Sequence, residues 1–196
     1  MEILKLLKNN LANAVSLLSV PFVLVAFHYA LCGQAFLSLC FIATAFFIDT
    51  ADGWIARKIR IESIRGRMID SFCDLVIYVA FPCFFIYQFL PIDLLAMLFA
   101  GSAVMIAGIV RLARLNECGL IRDDNKIYYQ GLFVPAVLVA AVAFYALYQR
   151  GVNQVLYLAA PAMAAISLLM VSNFRLRKIN NWLWYVLAAI LLWMAY

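Results

Sequence analysis

The stretch MIDSFCDLVIYVAFPCFFIYQFL, residues 68–90, carries two charges, Asp70 and Asp74, and both fall in its first seven positions. From Leu75 to Leu90 no charge occurs, and the whole stretch has the length of apolar chain that a helix needs to cross a bilayer. The other long apolar runs lie near 11–31, 35–56, 93–115, 130–149 and 152–173, with a shorter one at 182–196. The expected fold class is therefore an all-α integral membrane protein with six transmembrane helices. The last run is short, which leaves a tilted seventh span and an interfacial segment as its two readings.

Composition agrees with this. Of the 196 residues 68% are apolar and only 13% charged, and the mean hydropathy is +0.99. Soluble domains carry about a quarter charged residues, and a chain this apolar cannot stay solvated as a disordered one. The net charge of +5 would favour nucleic acid in a soluble protein, but here the basic residues gather in short stretches between apolar runs. That arrangement points to a bilayer and not to a nucleic-acid partner.

The same residues set the orientation. Lys5 and Lys8 precede the first span, Arg57 to Arg67 lie between the second and third, Arg111 to Lys126 between the fourth and fifth, and Arg175, Arg177 and Lys178 after the sixth. Only Arg150 falls on the other side, so 14 of 15 basic residues mark the cytoplasmic face. The N-terminus is expected in the cytoplasm of a cell with this chain in its inner membrane, and the turns at 32–34 and 91–92 outside. Met1–Asn9, with Lys5 and Lys8 beside Ile3, Leu4, Leu6 and Leu7, suits a short amphipathic helix on the membrane surface. A signal peptide fits less well, because the first apolar run is long and no small-residue cleavage site follows. The five cysteines show no paired spacing and read as small apolar side chains. His28, the only histidine, reads as a packed polar residue. No repeat or linker interrupts residues 1–196, which read as a single domain.

Four acids sit at the cytoplasmic ends of the second and third spans: Asp49, Asp52, Asp70 and Asp74. A carboxylate at that depth costs several kcal/mol unless it is paired or metal-bound, so it marks a functional site. Spacings of three and four put each pair on one helix face, and a connection of about 12 residues makes the helices antiparallel neighbours. Facing pairs of hard oxygens without His or Cys suit Mg²⁺ or Mn²⁺ rather than Zn²⁺. Between them, Gly53 permits close approach, Ala56 keeps the same face narrow, and Arg57 can hold a phosphate through its planar fork.

The run Asp49-x-x-Asp52-Gly53-x-x-Ala56-Arg57, eight residues, then Gly66-x-x-x-Asp70-x-x-x-Asp74, resembles the signature of the CDP-alcohol phosphotransferases, membrane enzymes of phospholipid synthesis. All eight signature positions match. The resemblance implies attack of an alcohol on the lipid-bearing phosphate of a CDP-linked donor, CDP-diacylglycerol, with release of CMP. It implies that Asp49, Asp52, Asp70 and Asp74 share two metal ions, that Asp74 is also general base, and that Asp52, Gly53, Ala56, Arg57, Gly66 and Asp70 surround the cytidine diphosphate. Asn13-x-x-Ser16 looks similar to the family's Asn-x-x-Thr near the N-terminus, which adds both to the donor-binding set. The family is typically homodimeric.

The second half bears on the acceptor. Arg111-Leu-Ala-Arg114-Leu-Asn116 and Tyr129-Gln-Gly131-Leu-Phe-Val-Pro135-Ala136 resemble segments of the family's serine-accepting branch. Serine has a carboxylate that Arg111 or Arg114 could grip; the alternative for both is interfacial anchoring. After Asp74 the chain reads Leu75-Val-Ile-Tyr-Val-Ala-Phe-Pro82, where the serine branch has Val-Val-Ser-Phe-Gly-Val-Ala-Pro; Tyr78-Val79 with Pro82 nearby looks somewhat like the choline-accepting branch, and the aromatic face of Tyr78 could hold a quaternary ammonium. Glycerol phosphate and inositol phosphate stay open, since Arg111, Arg114 and Arg122 could bind a phosphate. A small transporter, the competing class, would carry polar residues through the midplane, whereas these acids stop at the cytosolic boundary.

Overall fold

The structure is a computed structural model that describes residues 2–59, 64–119, 121–123 and 126–177, with side chains described for 17–51, 66–117, 119 and 130–176. Helix α1 (Glu2–Leu31) is one unbroken element of 30 residues. The separate interfacial helix expected over Met1–Asn9 is therefore corrected: from Glu2 onward these residues form the start of α1. Nothing from Glu2 to Asn13 breaks a helix, since no Pro or Gly occurs there.

A turn with Gly33 at φ +74° closes α1. Gln34 N–H donates to Tyr29 O at 2.9 Å and Gly33 N–H to Ala30 O at 3.0 Å, the paired bonds of a Schellman motif. The chain reverses into α2 (Ala35–Ile59). Ala26, Ala30 and Ala45 are fully buried, small enough for the two helices to approach closely. Ser38 Oγ donates to Ala26 O at 2.8 Å, and the rings of Tyr29 and Phe41 stack 5.3 Å apart.

Helix α3 (Ile64–Leu75) continues through a π-helical turn, Val76–Ala80, into α4 (Phe81–Phe89). Pro82 has no N–H for the carbonyl four residues back, Tyr78, and a widened turn before it accommodates the missing bond. After a short break Asp93 caps α5 (Leu94–Cys118), its Oδ2 accepting from Ala96 N–H at 2.9 Å. Gly108 of α5 meets the π turn: a Cβ there would stand 2.9 Å from Val79 Cγ2 and 3.2 Å from Val79 Cγ1, so the Val79 side chain packs directly onto the bare backbone of Gly108.

Helices α6 (Pro135–Gln149) and α7 (Val155–Val171) form a second reversal, closed by Gly151 at φ +81°. Phe85 of α4 packs edge-on against Tyr145 of α6 at 5.2 Å.

A three-stranded antiparallel sheet stands where only helix and loop were expected: β1 (Ile121–Asp123), β2 (Lys126–Gln130) and β3 (Arg175–Arg177), in that order. The register pairs Arg122 with Ile127, Tyr129 with Leu176 and Gln130 with Arg175. The described residues remain mostly helical, as expected of an all-α membrane protein, with this small sheet added; the apolar helix expected from near 130 begins at Pro135, because Lys126–Gln130 is strand. Ile127, Tyr128 and Tyr129 are good strand formers, and Gly131 at φ +74° ends the strand before a helix can start.

The chain divides into two compact units, Met1–Ile77 and Tyr78–Tyr196. Among the described residues, two helical stretches are long and apolar enough to cross a membrane, Gly66–Phe89 and Leu94–Glu117. Leu17–Leu31, Ala35–Ala51, Pro135–Gln149 and Val155–Val171 are shorter apolar helices. The run 182–196 lies outside the described residues.

Candidate active site

In the first unit α1 packs against both α2 and α3. Asp49 on α2 is buried, at 9% exposure, and its Oδ1 is fully withdrawn from solvent. Asp70 and Asp74, one turn apart on α3, are half-buried. One carboxylate oxygen from each of the three lies within 4.8 Å of the others. At an effective dielectric of about 20, two like charges at such a separation repel by on the order of 3 kcal/mol. A cation or shared protons must therefore offset the repulsion. The donor set is all carboxylate, which fits a hard divalent ion and not a soft one.

Gly66 stands one turn before Asp70, half-buried. Asp52, Gly53, Ala56 and Arg57 belong to the helical backbone of α2, and Asn13 and Ser16 to that of α1, but their side chains lie outside the described residues. Cys73, read from sequence only as a small apolar residue, is buried beside this cluster, hydrogen-bonded to Ser19 and within electrostatic reach of all three carboxylates. An apolar groove of about 220 Å³ runs between α1 and α3, lined by Val20, Val23, Ile69, Phe72, Cys73 and Val76 among others.

The second unit holds Arg111, Arg114 and Tyr78, the residues for which the sequence suggests a part in acceptor binding. Arg111 is 5% exposed and its Nε donates to Leu132 O at 2.6 Å, so it is no interfacial anchor. Arg114 is half-buried; its Nη1 donates to Val171 O at 3.0 Å and to Asn173 Oδ1 at 3.1 Å. Tyr78 is buried, at 3% exposure. The two arginines thus brace the end of α5 against the loop before α6 and the end of α7. That loop in turn caps α7, with Leu132 N–H donating to Leu169 O and Gly131 N–H to Phe174 O. Asn173 carried no sign in the sequence, because it stands outside every motif and meets Arg114 only through the fold.

A sequence model described as CDP-alcohol phosphatidyltransferase matches residues 9–194. The archaetidylserine synthase of Methanothermobacter thermautotrophicus is 32% identical over 143 residues, covering 70% of this chain and 56% of that protein. The CDP-diacylglycerol–serine O-phosphatidyltransferase of Bacillus subtilis is 34% identical over 97 residues, 47% of this chain and 53% of that protein. The phosphatidylcholine synthase of Pseudomonas aeruginosa is 28% identical over 145 residues, 71% and 58% respectively. The chain spans about half the length of the curated relatives it matches. With the family's sequence model running across both units and three of the signature aspartates gathered at one place, the chain belongs to the CDP-alcohol phosphatidyltransferase family.

Proposed function

We propose that this protein transfers the phosphatidyl group of CDP-diacylglycerol to the hydroxyl of L-serine and releases CMP, at the cytoplasmic face of a cell membrane. The observation that carries the reading is the meeting of Asp49, Asp70 and Asp74 within 4.8 Å inside a matched family member. Asp52 completes the set that would hold two Mg²⁺ or Mn²⁺ ions, and such ions neutralise the charge of the donor's diphosphate. Asp74 takes the proton of the serine hydroxyl as its oxygen bonds to the lipid-bearing phosphorus and the bond to CMP breaks. Arg57, with Gly53, Ala56, Gly66, Asn13 and Ser16, binds the cytidine diphosphate. The apolar groove beside Ile69 and Cys73 suits an acyl chain of a lipid donor.

In this reading the chain is one domain that crosses the membrane six times, with 182–196 a seventh span or an interfacial segment. Its N-terminus is cytoplasmic, and it acts as a homodimer. Arg114 holds the acceptor's carboxylate. Choline is the second acceptor reading, favoured by the resemblance to the Pseudomonas enzyme and by Tyr78. The transporter reading is set aside by family membership.

The test is CMP release by the purified chain with CDP-diacylglycerol and Mn²⁺ or Mg²⁺, offering serine, choline, glycerol 3-phosphate and inositol phosphate separately. Serine is expected to give metal-dependent CMP while the others stay near background. Release with choline alone would move the acceptor and keep the reaction.

A further inference from the structure

We infer that Asn173 is a positioning residue for Arg114, turning the guanidinium so that its Nε–Nη2 edge faces a planar oxyanion, the carboxylate of an amino-acid acceptor. The inference rests on the serine reading above and deepens it.

A guanidinium offers a carboxylate two pairs of parallel N–H bonds, one along the Nη1–Nη2 end and one along the Nε–Nη2 side. In Arg114 both hydrogens of Nη1 have acceptors, Val171 O at 3.0 Å and Asn173 Oδ1 at 3.1 Å. The end-on pair is thereby used, and among the described residues the side-on pair has no partner. Arg111 differs, because Leu132 O takes its Nε at 2.6 Å and occupies that same side-on pair. Of the two arginines, Arg114 is the one whose side-on pair remains for a ligand.

Asn173 is itself held on both sides. Ser172 N–H donates to Leu168 O at 3.1 Å and Ser172 Oγ to Leu169 O at 2.6 Å, while Phe174 O accepts from Gly131 N–H at 2.9 Å. The chain leaves α7 in an extended conformation at Ser172, φ −65° and ψ 157°, which carries Asn173 past the helix end towards Arg114. A long arginine side chain loses much rotamer freedom when it is fixed. Two acceptors on one nitrogen supply that fixing before the ligand arrives, and binding then costs less.

The test compares Asn173→Ala, Asn173→Asp, Arg114→Ala and the double variant Asn173→Ala/Arg114→Ala in the full chain, with serine and CDP-diacylglycerol varied in turn and thermal midpoints recorded. Asn173→Ala is expected to raise the KM for serine by roughly three- to tenfold, with kcat and the donor KM within about twofold. Asn173→Asp keeps an acceptor oxygen and is expected to restore the serine KM to within about twofold of the parent. The double variant is expected to be no worse than Arg114→Ala alone, because Asn173 acts through Arg114. If Arg114→Ala raises the serine KM and Asn173→Ala does not, or if the two effects multiply, the positioning role is overturned and the serine reading stands. A uniform loss across kcat, both KM values and the thermal midpoint assigns Asn173 a structural role only and overturns it too. If Arg114→Ala itself leaves the serine KM unchanged, Arg114 does not hold the acceptor's carboxylate and the positioning role of Asn173 is overturned with it, while serine as acceptor stands.

Discussion

Asp74→Asn is expected to lower CMP release by about a thousandfold or more, within the range that a positioned general base contributes. The asparagine amide has nearly the shape of the carboxylate and keeps an oxygen towards its neighbours, so α3 has no reason to change course. What it loses is the ability to take a proton near neutral pH, together with one negative charge from a cluster whose members stand within 4.8 Å. The check is single-turnover CMP release alongside binding of the intact donor. Binding with no release is the predicted result; an Asp74→Asn protein that turns over at the parent rate removes Asp74 from the role of base.

The second large effect is structural. Gly131 has φ +74°, and a Cβ there would stand 2.5 Å from Met170 O, 2.9 Å from Ser172 O and 3.1 Å from Leu169 O. These are backbone carbonyls at the end of α7, which cannot swing aside as a side chain would. Gly131→Ala must therefore push the loop off the helix end, breaking the bonds from Gly131 N–H to Phe174 O and from Leu132 N–H to Leu169 O. The expected cost is about 3 kcal/mol or more, from lost hydrogen bonds and backbone strain together. Gly151→Ala provides the control. Its φ is +81°, but nothing lies within 4 Å of its Cβ position, so only the left-handed strain of about 1–2 kcal/mol applies. Thermal midpoints in detergent should fall much further for Gly131→Ala than for Gly151→Ala. Equal falls would mean that the carbonyls do not crowd Gly131.

Much of the site could be read from the chain because spacing along a helix is geometry. Asp70 and Asp74 at i and i+4 had to share a face, and Asp49 came to them because α1 packs against both α2 and α3. The turn at 32–34 was legible for a similar reason, since an apolar run ends there at Gly33. The sheet was not legible. Its strands of three to five residues come from segments some 50 positions apart, Lys126–Gln130 and Arg175–Arg177, and no local period announces such a pairing. The unity of α1 was hidden by charge, because Lys5 and Lys8 suggested a boundary where the backbone has no cause to break. The duties of Arg111 and Arg114 were half legible. Their residue type indicated anion binding, but the carbonyls of Leu132 and Val171 that hold them are backbone atoms and leave no trace in sequence.

The most direct test of the central claim is a metal titration of CMP release. The purified chain is stripped with chelator, given CDP-diacylglycerol and serine, and resupplied with Mn²⁺ or Mg²⁺ in steps. The account predicts no release in chelator and a saturable return of serine-dependent CMP as the ion is restored. Serine-dependent CMP at the full rate in excess chelator would contradict it, because the gathered carboxylates of Asp49, Asp70 and Asp74 would then not be a working metal site.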